Sequence, residues 1–263
     1  NRIEHINGVV LTGGSAYGLA SVHGVMRYLE SQGLGHTVLI GIVPIVPAAV
    51  IFDLNLGSYS VRPDADMGFM AASRATDAPV TEGCIGAGTG ASIGKLAGMD
   101  LACKSGIGTA AISLDNGVII AALIVVNAVG DVLDENNNIL AGTRVAADRI
   151  DFADSVELMK QQVSAMTTGT NTTIGVVATN AQLSKSDVNK MAGMAQNGLA
   201  KAIRPVHTMY DGDTVFGVAT GTALPIDVSL IGTLAAEVSA SAIRRAVRMA
   251  SPLMELPAIT GEE

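Results

Sequence analysis

The sequence predicts a layered α/β fold in one compact domain, with substantial antiparallel pairing. Three observations carry that expectation. Short β-branched runs alternate with segments of helical periodicity, and residues 108–127, GTAAISLDNGVIIAALIVVN, read as two strands meeting at Asn116-Gly117. The chain is also 263 residues long and 49% hydrophobic, enough for one large core. Aromatic residues make up 3% and Trp is absent, so that core is built from Ala, Val, Ile, Leu and Met.

From the N-terminus, residues 8–12, GVVLT, read as a buried strand. The turn GGSAYG follows, with Ser15 expected as N-cap of a helix over 15–32. Leu19, Val22, Met26 and Leu29 form its apolar stripe, and Gly33 stops it. Residues 37–52 continue as extended chain interrupted by Pro44 and Pro47, and residues 64–74 form a short helix. Residues 83–98, GCIGAGTGASIGKLAG, are too glycine-rich for a helix interior and are expected to wrap closely around another group. Asn116-Gly117 predicts a type I′ hairpin. A helix over 151–166 opens on acidic residues, and a strand covers 173–179. Ser184 and Asp187 form a capping box for a helix that turns Val188, Met191, Ala195 and Leu199 inward. A strand over 214–220 and a long Ala-rich helix over 228–249 complete the chain.

A net charge of −8 argues against nucleic acid as the main partner, because phosphate binding needs a basic surface. The one basic cluster, Arg244, Arg245 and Arg248, suits the C-terminal end of its helix. Cys84 and Cys103 have neither metal spacing nor a CxxC pattern and read as reduced, buried small hydrophobes. No apolar run reaches the roughly 18 residues of a membrane span. No signal peptide is visible, although the sequence opens at Asn1 rather than Met. A cytoplasmic protein without membrane contact is expected.

Several motifs fall short of known chemistry. GGSAYG misses the nucleophile elbow G-x-S-x-G because Tyr17 holds the fifth place. GAGTGASIGK misses the phosphate loop, since Thr89 stands at the first glycine and Leu96 replaces the metal-binding hydroxyl. His5, His23, His36 and His207 are scattered, so no metal site is expected, and His207 reads as structural.

The stretch TTGTNTTIGVVATN, residues 167–180, is different. Taken alone, Thr172-Thr173 ahead of Ile174 is a β-prone strand start and Asn171 a loop residue. Were the Asn171–Thr172 bond to break, Thr172 would carry a hydroxyl and a free α-amine on one residue. That amine, with a pKa near 7.7 to 8.0, has a neutral fraction able to take the hydroxyl proton. The same hydroxyl could make the cut by attacking the Asn171 carbonyl, through an N-to-O acyl shift and hydrolysis.

In order along the chain stand VVLTGGSAYGL, VPIVPAAVIFDL, GAGTGASIGK, VVNAVGD, TNTTIGVVATNA and RPVHTMYDGDTVFGVATG. Together, from about residue 8 to 237, these resemble the self-processing aminopeptidases of the DmpA type. That family includes β-aminopeptidases and the 6-aminohexanoate-oligomer (nylon) hydrolase, and the NTT and DGDT blocks look closest to the nylon-hydrolase branch and its relatives. The resemblance implies an αββα four-layer sandwich similar to N-terminal-nucleophile hydrolases. It also implies an α chain (1–171) and a β chain (172–263) that stay associated within one domain (1–263). By the same resemblance Thr172 is the nucleophile, Asn127 stabilises the oxyanion, Lys95 is a site lysine, and Asp211 and Asp213 orient the nucleophile and its amine. Phe52 falls where the nylon hydrolase carries a site tyrosine, and family members have several dozen residues ahead of VVLTGG. The implied enzyme is an amidohydrolase of small amino-acyl peptides or ω-amino-acid oligomers. It needs no cofactor and assembles as a homo-oligomer, tetrameric or larger. The alternatives are an aminopeptidase strictly for β- or D-amino-terminal peptides, and a non-catalytic, ligand-binding member that keeps the fold.

Overall fold

In the computed structural model, residues 3–161 and 170–259 are described. The chain enters through β1 (Val10–Thr12), makes one 3-10 turn at Ser15–Leu19 and continues as α1 (Ala20–Ser31). Gly14 rather than Ser15 occupies the N-cap, at φ +82, and no side chain caps this end. Leu29 of the expected stripe is buried, and Val22 and Met26 are half-buried. Leu19 is exposed, because the three-residue period of the 3-10 turn puts it out of phase with the α-helical stripe. β2 (His36–Val38) and β3 (Gly41–Val43) form an exposed hairpin, and β4 (Ala48–Val50) returns parallel to β1. In α2 (Ala65–Ser73) the Asp64 carboxylate accepts the Met67 N–H at 2.9 Å. α1 and α2 cross closely at glycines: a Cβ on Gly24 would lie 1.7 Å from the Ala65 carbonyl oxygen, and one on Gly68 1.9 Å from that of Ser21.

The glycine-rich segment carries β5 (Ser92–Ile93), paired with β6 (Cys103–Lys104). What it wraps around is Asp53 on one side and the buried Lys104 on the other. A Cβ on Gly90 would lie 2.4 Å from the Asp53 Cβ, and the Lys104 ammonium donates to the carbonyls of Gly88 and Ala91. β7 (Ile107–Ser113) and β8 (Ile119–Val125) are the expected hairpin, but the turn differs. Leu114 N–H donates to the Val118 carbonyl and Gly117 N–H to the Leu114 carbonyl, which leaves a three-residue loop. Only Gly117 in it has positive φ, whereas a type I′ turn needs two such residues. β9 (Asp131–Leu133) and β10 (Ile139–Ala141) follow, then α3 (Ser155–Lys160), capped by Asp154. The expected helix over 151–166 starts later than predicted, and its last residues lie outside those described.

β11 (Ile174–Thr179) leads into α4 (Lys185–Ala202), where the Ser184/Asp187 capping box is formed. β12 (Ile203–Arg204), β13 (Thr214–Ala219) and α5 (Val228–Arg248) complete the elements. The four-stranded sheet runs β13-β11-β8-β7, with β11 parallel to β13 and antiparallel to β8. Side chains alternate across it. Ile120, Ala122, Ile124 and Val177 meet Met191, Ala195 and Leu199 of α4 and Ile231, Ala235 and Ile243 of α5. The opposite face presents Ile107, Leu123, Val125 and Ile174 to Leu11, Ala49 and Ile51, around the β1/β4 pair.

A cavity of about 870 Å³ separates β1 from α1 and α2, its walls including Val10, Leu29, Asp53 and Met67. The order is therefore helices, sheet, sheet, helices, as the resemblance implied. The basic cluster is engaged in packing: Arg245 pairs with Glu82, Arg248 with Glu135, and Arg244 Nε donates to the Leu133 carbonyl. Cys103 is buried as expected and Cys84 only partly so. No described helix is long and apolar enough to cross a membrane.

Candidate active site

The expected site residues sit just beyond the ends of strands, Asn127, Thr172, Asp211 and Asp213 beside the four-stranded sheet and Lys95 beside the β5/β6 pair. Asn127 follows the last buried residues of β8, and Thr172 stands two residues before β11, the neighbouring strand. The Thr172 N–H donates to the main-chain carbonyl of Asn127 at 3.0 Å. Lys95, just past β5, donates from Nζ to the same carbonyl at 3.0 Å and to Asn127 Oδ1 at 2.8 Å. Ser92 N–H also donates to that Oδ1, at 3.1 Å, and Asn127 Nδ2 donates to the Phe52 carbonyl at 3.1 Å. Both ends of the carboxamide are thus fixed, and its orientation follows from donors that only the oxygen can accept. Phe52 takes part through its main chain, with its ring half-buried.

Lys95 is buried, and loss of hydration pushes its pKa down to about 7 although the carboxylates of Asp211 and Asp53 act to raise it. Asp53 accepts the Gly14 N–H at 2.7 Å, and burial holds its carboxyl above the ordinary value.

On the other side of Thr172, residue 171 already pairs with residue 211 in parallel, three residues ahead of the first pair of the β11/β13 ladder and in the same register. Gly212 N–H donates to the Asn171 carbonyl at 2.9 Å, and the Thr172 hydroxyl lies against the same carbonyl. Asn171 is wholly buried, and its Oδ1 has no hydrogen-bond partner among the described residues. The two carboxylates of Asp-Gly-Asp do not bond Thr172 in this continuous chain. Asp211 accepts from Val129 N–H at 3.3 Å and from the Thr208 hydroxyl at 2.7 Å. Asp213 accepts from Thr173 N–H at 2.7 Å and pairs with His207 Nδ1 at 2.8 Å. Burial raises the Asp213 carboxyl, with Asp211 adding to the effect and the Thr173 N–H and His207 opposing it.

The structure therefore gathers Thr172, Asn127, Lys95, Asp211 and Asp213 around one peptide bond. It adds three residues that sequence reasoning passed over. Ser92 and Gly212 act through main-chain N–H groups, which leave no mark on residue type. His207, read as structural, holds Asp213 from a backbone at φ +54, a conformation uncommon for a residue other than glycine.

The site so assembled lies at the head of an interior strand of the sandwich. The model for peptidase family S58 matches residues 1–257, and the chain belongs to that family. It is 43% identical to an uncharacterized aminopeptidase of Mycobacterium leprae, over 95% of this chain and 72% of that protein. It is 31% identical to a 6-aminohexanoate-oligomer endohydrolase of Paenarthrobacter ureafaciens, over 90% of this chain and 70% of that one. Among solved structures, a β-aminopeptidase of Burkholderia sp. superposes with a TM-score of 0.60 at 22% identity, covering 91% of this chain and 67% of its own. An L-aminopeptidase D-Ala-esterase/amidase of Ochrobactrum anthropi, described as a new variant of the Ntn hydrolase fold, gives 0.55 at 20% identity, covering 90% and 64%.

Proposed function

We propose that this chain is an autoprocessing amidohydrolase whose nucleophile is Thr172. The carrying observation is the peptide bond between Asn171 and Thr172, with its nitrogen held by the Asn127 carbonyl, its oxygen by Gly212 N–H, and the Thr172 hydroxyl against it. Attack by that hydroxyl and hydrolysis of the resulting ester yield an α chain (1–171) and a β chain (172–263). The freed α-amine of Thr172 then takes the hydroxyl proton when a substrate amide is attacked. The Asn127 carboxamide donates to the developing oxyanion, held in place by Lys95 and Ser92. Asp213, adjacent through Thr173 N–H, offers the negative charge that positions the amine. The acyl-ester on Thr172 is released to water.

β11 is hydrogen-bonded to β8 of the α chain along its whole length, which supports fragments that stay together after the cut. The substrate is the amide bond of a small amino-acyl peptide or of an ω-amino-acid oligomer. This reading draws on the aminopeptidase and 6-aminohexanoate-oligomer endohydrolase names of the relatives. Leu39 and Ile40, fully exposed at the tip of the β2–β3 hairpin, support burial in a homo-oligomer. Two unpaired cysteines fit a reducing, cytoplasmic compartment.

Denaturing electrophoresis with N-terminal sequencing tests the reading. Scaling the 26.7 kDa chain by residue number gives fragments of about 17 and about 9 kDa, the smaller beginning at Thr172. The Thr172→Ala chain stays whole and hydrolyses neither β-alanyl amides nor 6-aminohexanoate oligomers. A wild-type chain that is never cut, or a Thr172→Ala chain cut at the same bond, sinks it.

A further inference from the structure

Resting on that reading, we propose that the main-chain amide of Gly212 is the oxyanion donor for chain scission, a role separate from that of Asn127 in substrate hydrolysis. The Gly212 N–H points at the oxygen of the bond to be broken, at 2.9 Å from Asn171 O. The Asn127 carboxamide donates elsewhere, to the Phe52 carbonyl. What Asn127 gives the scissile bond is its own main-chain carbonyl, which holds the departing nitrogen. The two polar atoms of the scissile peptide therefore each have a main-chain partner, from opposite sides.

Gly212 is held from both sides. The residue before it is tied by Val129 N–H and Thr208, and the residue after it by Thr173 N–H and His207. Its Cα also faces the nucleophile: a Cβ there would lie 3.2 Å from Thr172 Oγ1 and 3.9 Å from Asn171 O. The glycine leaves the hydroxyl room to move onto the carbonyl carbon while the adjacent N–H stays on the oxygen.

In the step itself, Thr172 Oγ1 forms a bond to the Asn171 carbonyl carbon, and the carbonyl π electrons move to the oxygen under Gly212 N–H. Collapse breaks the bond from that carbon to the Thr172 nitrogen, and the hydroxyl proton ends on the nitrogen as part of the new amine. Water then cleaves the ester, leaving a carboxyl on Asn171 and restoring the Thr172 hydroxyl. Charge on the oxygen is largest in the tetrahedral stage, so a donor fixed there lowers the barrier more than it stabilises the starting amide.

The test replaces Gly212 by glycolic acid during in vitro translation of the full chain. This turns the amide into an ester, removes the N–H and adds no side chain. Mild alkali splits the ester and reports incorporation. Scission followed by electrophoresis is expected to slow by about 100- to 1000-fold. Scission within threefold of wild type overturns the proposal while leaving Thr172 as nucleophile, whereas a wild-type chain that does not cut at all removes the reading beneath it. A second comparison covers a poorly folded ester chain. Gly212→Ala keeps the N–H and Gly212→Pro lacks it, so the proline chain is expected to cut about 100-fold more slowly than the alanine chain. Equal rates overturn the proposal.

Discussion

Replacing Lys95 by Met in the uncut Thr172→Ala chain isolates the buried ammonium. The single-chain background matters because a chain cut in two does not unfold as one reversible unit. In the folded protein burial holds the Lys95 pKa near 7, against an ordinary value of 10.5. Between those limits the unfolded chain keeps the proton and the folded chain has lost it, so raising the pH favours folding. Each pH unit is worth about 1.4 kcal/mol, and the whole window on the order of 5 kcal/mol. Below pH 7 both states are protonated, and the folded chain bears that full cost.

Methionine removes the cost but takes one donor each from Asn127 O and Oδ1, a loss of about 1–3 kcal/mol that does not vary with pH. At pH 6 the desolvation cost is the larger quantity, so the Lys95→Met chain is the more stable by a few kcal/mol. Its advantage shrinks by about 1.4 kcal/mol for each pH unit above 7. Urea unfolding at half-unit steps from pH 6 to 9.5 measures the difference. A stability difference that stays flat across this range would show that Lys95 ionises like a solvated lysine and that its burial does not depress its pKa.

Asn127→Ala lowers kcat for amide hydrolysis by about 100- to 1000-fold with little change in KM, read from initial rates on the cut enzyme; a change confined to KM would remove Asn127 from the oxyanion role. His207→Asn, a residue that tolerates positive φ, withdraws the imidazole that opposes the raised carboxyl of Asp213. Asp213 then protonates at higher pH, so the acid limb of the kcat/KM profile moves upward; an unmoved limb means that His207 does not govern Asp213.

Periodicity located nearly every long element, and it failed where short-range geometry decides. Leu19 follows the helical spacing yet belongs to a 3-10 turn, so its stripe position is lost. Asn116-Gly117 marks a turn correctly, but an Asn-Gly pair serves both a two-residue loop and a longer loop ending in a left-handed glycine. The two-residue strands β5 and β6 have no pattern to read at all. For the site, Asn127, Lys95, Thr172 and the two aspartates are singled out by motif resemblance, and composition alone would have left them as a strand start and a solvated turn. The main-chain donors of Ser92 and Gly212 are invisible in sequence because every residue except proline supplies an N–H. Only the folded positions of β5, β11 and β13 aim them.

Thr172 heads a strand flanked on both sides. β11 has β8 along one edge and β13 along the other. Opening the backbone ahead of such a strand exposes no unpaired ladder, so the new terminus offers no template for another molecule to add a strand. A nick in front of an outermost strand would have left one side of a freed segment unsatisfied. The interior location would let the chain be cut ahead of β11 without freeing a strand edge.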